Sequence, residues 1–323
     1  MIRSVIKIAE QLSIVPGLPQ VEHDHKILWL DVNAPTEDEM MHLRERFAID
    51  AKPQGGSVVE DARYLYMRAR LIALDSKGMP IFGSVTFVLG DHLVATICEQ
   101  PDFQPFTIAL QRCIRRPSHA DGAKAMLRVL LQVANDSADQ VIDTIADELE
   151  TSADEISAIS DGYNEHGQEL GVVDLIATMR RLNEKEELIS RCLEAQLSLA
   201  RTVRYLSGEV DNRTESDLQS LVTELAGDVA GVKEHAAFEH EKVRYLQNGV
   251  TNILNIKQNQ IVKVFTIITA VFLPPTLVGT FYGMNFAVMP ELSWQHGFIY
   301  SMMLTLLAAI LPLVYIKRKG WLR

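Results

Sequence analysis

Asn252, Asn255, Asn259, Val262, Thr266, Thr269, Leu273, Thr276, Thr280 and Gly283 follow one another in alternating steps of three and four residues. On a helix that spacing puts them in one stripe. The stripe begins with amides and continues with hydroxyls, while Ile268, Val271, Phe272 and Phe281 fall on other faces. In hydrocarbon a lone helix has no reason to align polar atoms, because each must find a partner or face water. The pattern calls for a second polar surface or a water-filled path. Neutral amide, hydroxyl and carbonyl oxygens suit a cation that keeps its water, and no Asp or Glu in the stretch would strip it. A helix pair held by Thr and Gly contacts is the plainer alternative.

Covalent chemistry finds no support. There is no GxxxxGK[ST] phosphate loop, no HExxH and no GxSxG element. Any transport would therefore run downhill, and for a divalent cation the membrane potential supplies about 4.6 kcal/mol per 100 mV. Cys98, Cys113 and Cys192 are far apart and odd in number, which fits free thiols in a reducing compartment. His23 and His25, and His235 and His240 five residues apart, lack zinc-site spacing.

The elements that must carry the stripe follow from hydropathy. No charge occurs from Val264 to Pro290, and the apolar run to Tyr282 is long enough for a bilayer span; a second uncharged run covers Phe298 to Ile316. The expected segments are a first span at 263–283, an external loop at 284–297, a second span at 298–317 and a basic tail at 318–323. Lys257 and Lys263 precede the first span and Lys317, Arg318 and Lys319 follow the second, whereas the loop has no Lys or Arg. By the positive-inside rule both termini lie in the cytoplasm. Trp294, Tyr300, Tyr315 and Trp321 stand near the span ends, where aromatic rings anchor at the headgroups.

The net charge is -11, yet the part after Val264 has four basic residues against Glu291. The soluble portion is thus strongly acidic, which argues against a nucleic-acid partner and suits one that meets cations. Residues 1–117 read as a mixed α/β domain, with strand patterns at Ile27–Val32, Tyr64–Leu74, Ser84–Gly90 and His92–Cys98. Thr36 with Glu39 three residues on has the form of a capping box. Residues 118–262 read as helical stalk. Ile142, Ile145, Leu149, Ser152 and Ile156 make a packing seam, with acids from Asp143 to Glu155 on the outer face. A break at Asp161-Gly162 and Gly167 returns the chain. The return helix presents Leu175, Ile176, Met179, Leu182, Leu188, Ile189 and Cys192 and ends near Gly208; a third helix starts near Ser216 and has no strong breaker before the membrane.

Where the first span ends, the chain reads Tyr282-Gly283-Met284-Asn285-Phe286, then Met289-Pro290-Glu291-Leu292 and Trp294. With Leu273-Pro274-Pro275-Thr276 before it and Lys317-Arg318-Lys319 after the second span, this closely resembles the CorA family of magnesium transport proteins. The resemblance is strong from Asn252 to Leu322 and looser over the cytoplasmic part. It implies a funnel-shaped homopentameric channel in the inner membrane, built of an α+β cytoplasmic domain, stalk helices and two spans, that carries magnesium and also cobalt or nickel.

The resemblance also assigns residues. Gly283, Met284 and Asn285 fall on the outer selectivity ring, and Asn259 on the polar ring at the cytoplasmic end. Val262, Phe265 and Leu273 fall on the apolar constriction, although Phe265 lies off the helical stripe. Thr276 lines the pore, Pro274 kinks it, and Glu291 is the loop acid that attracts cations. Relatives place an acid directly after the motif, where this chain has Ala287 and Val288 behind Phe286. Magnesium is also implied as a regulatory ion, bridging Asp50 of one subunit to Glu224 or Asp228 of the next. The competing readings are a zinc or nickel transporter on the same scaffold, favoured less by Met289-Pro290-Glu291-Leu292, and a non-conducting membrane-anchored sensor or structural protein.

Overall fold

The computed structural model describes residues 1–8, 11–19, 27–101, 103–160, 172–211, 214–285 and 289–320. Two compact units result: Met1–Ala158 with Ala177–Gln247, and Ile159–Ile176 with Asn248–Arg323.

The first unit is built on a seven-stranded sheet. Its strands are β1 (Ile2–Ile8), β2 (Gln11–Pro16), β3 (Ile27–Asn33), β4 (Val58–Glu60), β5 (Leu65–Leu74), β6 (Pro80–Leu89) and β7 (Val94–Cys98), in spatial order β2-β1-β3-β7-β6-β5-β4. β3 and β7 run parallel and every other pairing is antiparallel. The two-residue period of a strand decides what each face buries. Leu65, Met67, Ala69, Leu71 and Ala73 of β5 enter one core with Trp29, Phe103 and Phe106, while Tyr66 enters another with Leu43 and Phe47 of α1 (Glu37–Phe47). The sheet is therefore covered on both faces. The turn from β5 to β6 is closed by the Asp75 carboxylate, which accepts from the backbone N–H of Lys77 and of Met79 at 2.8 Å, with Gly78 at φ +77°.

The expected capping box forms. Thr36 Oγ1 accepts from the Glu39 N–H at 3.2 Å, and the Glu39 carboxylate accepts from the Thr36 N–H at 2.9 Å, an arrangement worth about 0.5–2 kcal/mol. The four expected strands are present. β1, β2, β4 and the helix α2 (Gln104–Arg115) add to them.

Three long helices follow: α3 (Ala123–Ser160), α4 (Val172–Glu209) and α5 (Ser216–Tyr282). Ile142, Ile145, Leu149 and Ile156 are buried, as the seam requires. On α4, Leu175, Leu182, Ile189 and Cys192 are buried, but Ile176 is exposed and Thr178 takes the inward position. The periodicity of α5 is stricter still: Val222, Leu225, Val229, Val232, Ala236, Glu239, Val243 and Leu246 are all buried at three- and four-residue steps, with a glutamate at one inward position. Charged pairs link α3 to α4, Lys185 with Glu148 and Arg181 with Glu155, and Gln247 of α5 donates to Glu186 of α4 at 2.8 Å. The break expected at Asp161-Gly162 and Gly167 lies outside the described residues, as do His23, His25 and Trp321. Cys98, Cys113 and Cys192 are free and buried.

In the second unit the membrane-facing chemistry is plain. The end of α5 and the whole of α6 (Gly297–Arg318) are long and apolar enough to cross a membrane, and almost none of either apolar segment is buried within the chain. Phe265, Phe272, Leu277, Phe281, Phe298, Met303 and Leu306 are each more than half exposed. A surface of that kind is stable only against lipid or further protein.

Candidate functional site

The asparagine and threonine stripe lies entirely on α5. Asn252, Asn255, Asn259, Val262, Thr266, Thr269, Leu273, Thr276 and Thr280 are all exposed in the chain, whereas Ile267, Ala270, Val271, Pro274 and Val278 form a partly covered line on another face. Phe265 is exposed off the stripe. Thr269, Leu273, Thr276 and Thr280 line a shallow groove of about 550 Å³.

The hydroxyls have a specific geometry. Thr266 donates to the Val262 carbonyl at 2.8 Å, Thr269 to Phe265 at 2.9 Å, Thr276 to Phe272 at 2.7 Å and Thr280 to Thr276 at 2.8 Å. Each hydroxyl proton is thereby committed to its own helix, four residues back. What each threonine oxygen presents outward is lone pairs, so the threonine part of the stripe is a row of acceptors, while the amides of Asn252, Asn255 and Asn259 both donate and accept. The prolines free oxygens on the partly covered face instead. Pro274 and Pro275 sit inside α5 without interrupting it, and their missing N–H groups release the carbonyls of Ala270 and Val271 from the ordinary helix ladder. A helix that would otherwise be apolar thus offers oxygen at successive levels.

α5 stops at the glycine of the motif. The Gly283 N–H donates to the Gly279 carbonyl at 3.0 Å, and a Cβ at Gly283 would lie 3.2 Å from that same oxygen. Met284 and Asn285 follow, both exposed. Phe286, Ala287 and Val288, directly after the motif, are outside the described residues. Glu291 lies in a short 3-10 turn, Pro290–Ser293, whose carbonyl at Glu291 accepts from the Trp294 N–H at 3.3 Å. The turn closes on Gly297 so tightly that a Cβ there would sit 2.1 Å from the Glu291 carbonyl oxygen. Only glycine fits. Trp294 packs on Tyr300 with ring centroids 5.7 Å apart.

The acids expected to bind regulatory metal are separate within one chain. Asp50 is exposed, its N–H donating to the Tyr66 hydroxyl at 3.1 Å and its carboxylate accepting from the Lys52 N–H at 3.0 Å. Burial pushes the Tyr66 phenol up to about 12. Glu224 and Asp228 lie on α5, lining a cavity of about 710 Å³ shared with α2 and α3. Arg128 of α3 also lines it, 6% exposed; burial pulls its guanidinium below the ordinary value, while the nearby Glu224 charge opposes that shift.

One further cluster joins groups that the sequence leaves apart. His235 Nδ1 of α5 lies 3.5 Å from Asp139 and 3.9 Å from Asp143, which share a face of α3. His240 turns instead to Glu186 of α4, at 3.7 Å. The two histidines diverge, as their spacing requires. Helical spacing alone shows Asp139 and Asp143 as a pair; the meeting with His235 depends on how α3 and α5 pack.

The CorA-like Mg2+ transporter protein model matches residues 24–318, nearly the whole chain. This chain belongs to the CorA-like Mg2+ transporter family. Its CorA relatives include the magnesium transport protein CorA of Haemophilus ducreyi, 26% identical over 303 residues, with 91% of this chain and 92% of that protein covered. The magnesium transport protein CorA of Sodalis glossinidius is 28% identical over 311 residues, covering 91% and 92%. Among solved structures, the complete CorA magnesium transporter of Methanocaldococcus jannaschii shares the fold with a TM-score of 0.78 at 17% identity, over 99% of this chain and 98% of that one. The CorA-like fold thus accounts for sheet, long helices and both apolar helices together.

Proposed function

We propose that the chain is the subunit of a passive magnesium channel that also admits cobalt and nickel and is driven by the membrane potential. The observation that carries this reading is the threonine stretch of the α5 stripe, a row of outward lone pairs that leads to Gly283-Met284-Asn285. Magnesium gives up water reluctantly, and neutral oxygens hold a hydrated ion without trapping it. Names of the relatives above support magnesium as the cargo.

A single pair of spans cannot enclose a path, so copies of the chain form a ring, a homopentamer in the inner membrane with both termini in the cytoplasm. α5 lines the axis: Asn252, Asn255 and Asn259 on the cytoplasmic approach, Val262, Phe265 and Leu273 as the narrow apolar part, Thr266, Thr269, Thr276 and Thr280 as the oxygen ladder. Asn285 and the Gly283 carbonyl meet the ion at the outer mouth, where Glu291 attracts it. Cytoplasmic magnesium bridging Asp50 to Glu224 or Asp228 of a neighbouring copy closes the path.

The test is influx into liposomes loaded with a magnesium-sensitive dye under an inside-negative potential. Wild-type protein admits magnesium rapidly and Asn285→Ala does not. Zinc or nickel passing in place of magnesium would transfer the proposal to another cargo, and no flux of any divalent ion would leave a structural or sensor role.

A further inference from the structure

The first unit of this acidic chain gathers arginines around a cavity. Arg112 and Arg115 of α2, Arg116 directly after it and Arg128 of α3 line the 710 Å³ cavity, and Glu224 and Asp228 line it from α5. Arg112 is neutralised by Asp136 at 2.7 Å. The side chains of Arg115 and Arg116 have no hydrogen-bond or ion-pair partner among the described residues. Arg128 is the unusual member. It is 6% exposed, one terminal nitrogen donates to Gln132 at 3.0 Å, and its Nε–H is buried with no partner. A cation buried beside two further arginines is costly, and an anion held in the cavity would offset its charge. The remaining wall includes Val129, Leu221 and Leu225, which suit an apolar body. The volume lies within the roughly 300–1,000 Å³ of small-molecule sites.

The signs on the two sides select the ligand. Guanidinium groups match phosphate in fork geometry, but a bare polyanion would meet repulsion from Glu224 and Asp228. A polyphosphate that carries a divalent cation meets both walls with the complementary charge. We infer that this cavity binds a magnesium-complexed organic polyphosphate of the nucleoside di- or triphosphate class, with the phosphates on Arg115, Arg116 and Arg128, the metal toward Glu224 and Asp228, and the apolar group on the leucine wall. The site goes beyond the proposed channel function and shares with it only the use of these two acids.

The test is equilibrium dialysis of full-length detergent-purified protein with labelled ATP, with and without magnesium, which needs no ion flux and so stands or falls apart from the transport reading. Saturable binding is expected with magnesium. It should weaken at least about tenfold in Arg115→Gln/Arg116→Gln, whose positions are exposed and leave the fold intact by circular dichroism. In Glu224→Gln/Asp228→Asn the advantage of magnesium over EDTA should disappear. Failure of ATP to bind in either condition, or equal binding by a folded Arg115→Gln/Arg116→Gln, would overturn the assignment. Pyrophosphate binding as tightly as ATP would overturn its apolar half.

Discussion

The oxygen stripe of α5 and the arginine-lined cavity of the first unit are both built from polar or charged groups, yet they are made in opposite ways. Along the stripe every group is neutral, and the threonine protons are tied to the helix itself, so that stretch offers acceptors and no fixed charge. The cavity uses full charges of both signs, one of them buried. Neutral dipoles give many shallow positions and charges give one deep position. Passage wants the first and residence wants the second. On the proposed reading the same chain separates moving an ion from recognising one by the charge of the groups it uses.

The strongest way to break that contrast is to put charge into the path. Thr276→Asp should convert a shallow position into a trap, cutting magnesium influx by about a hundredfold while raising equilibrium magnesium binding, both read on the same liposomes. Removing oxygen without adding charge should do less: Thr276→Val/Thr280→Val keeps shape and loses two outward acceptors, lowering influx about tenfold, and Thr→Ser at both sites should restore it. In the cavity, Glu224→Gln/Asp228→Asn should leave influx at low internal magnesium within about twofold and weaken inhibition by internal magnesium; unaltered inhibition would remove these acids from gating. The smallest effect concerns Glu215, held below its ordinary value of 4.5 by the Asp211 N–H and by Lys124. Because its folded value is depressed, its stabilising contribution is present above 4.5 and is lost as pH falls through the folded value. Thermal melts of Glu215→Gln should therefore lie slightly below wild type at neutral pH and converge with it in acid.

How much of this is legible from residues alone varies with the range of the interactions. The α5 stripe is local and periodic, so its positions follow from counting. The commitment of its threonine protons also follows from helix geometry, once each hydroxyl is placed over the carbonyl four residues back. α2 is harder to read: Phe103 precedes it without a side-chain cap, and no acid marks its first turn. β4 has only three half-covered or exposed residues, and β1 is specified by its partners β2 and β3 more than by alternation. The arginine cavity needs α2, α3 and α5 brought together across more than a hundred residues, and Arg128 in the sequence looks like any helical arginine. Gly297 likewise looks like an ordinary start to a span until the Glu291 carbonyl is seen 2.1 Å from where a Cβ would stand. Ile176 shows the reverse case, an apolar residue in register that the packing leaves outside while Thr178 goes in.

The parallel pairing of β3 with β7 has a consequence for how the chain comes to be folded. Among the described residues it is the sole seam joining β2, β1 and β3 to β7, β6, β5 and β4. Each half can zip by short-range antiparallel pairing, but their junction joins Asn33 to Cys98. At a synthesis rate of roughly 5–20 residues per second, β3 waits several seconds on the ribosome with one edge open before its neighbour exists. Closing that long loop is the step of highest contact order in the sheet and should set its assembly rate. The strand that bears Trp29 is, for that interval, the place where a nascent chain is most exposed to pairing with another copy of itself.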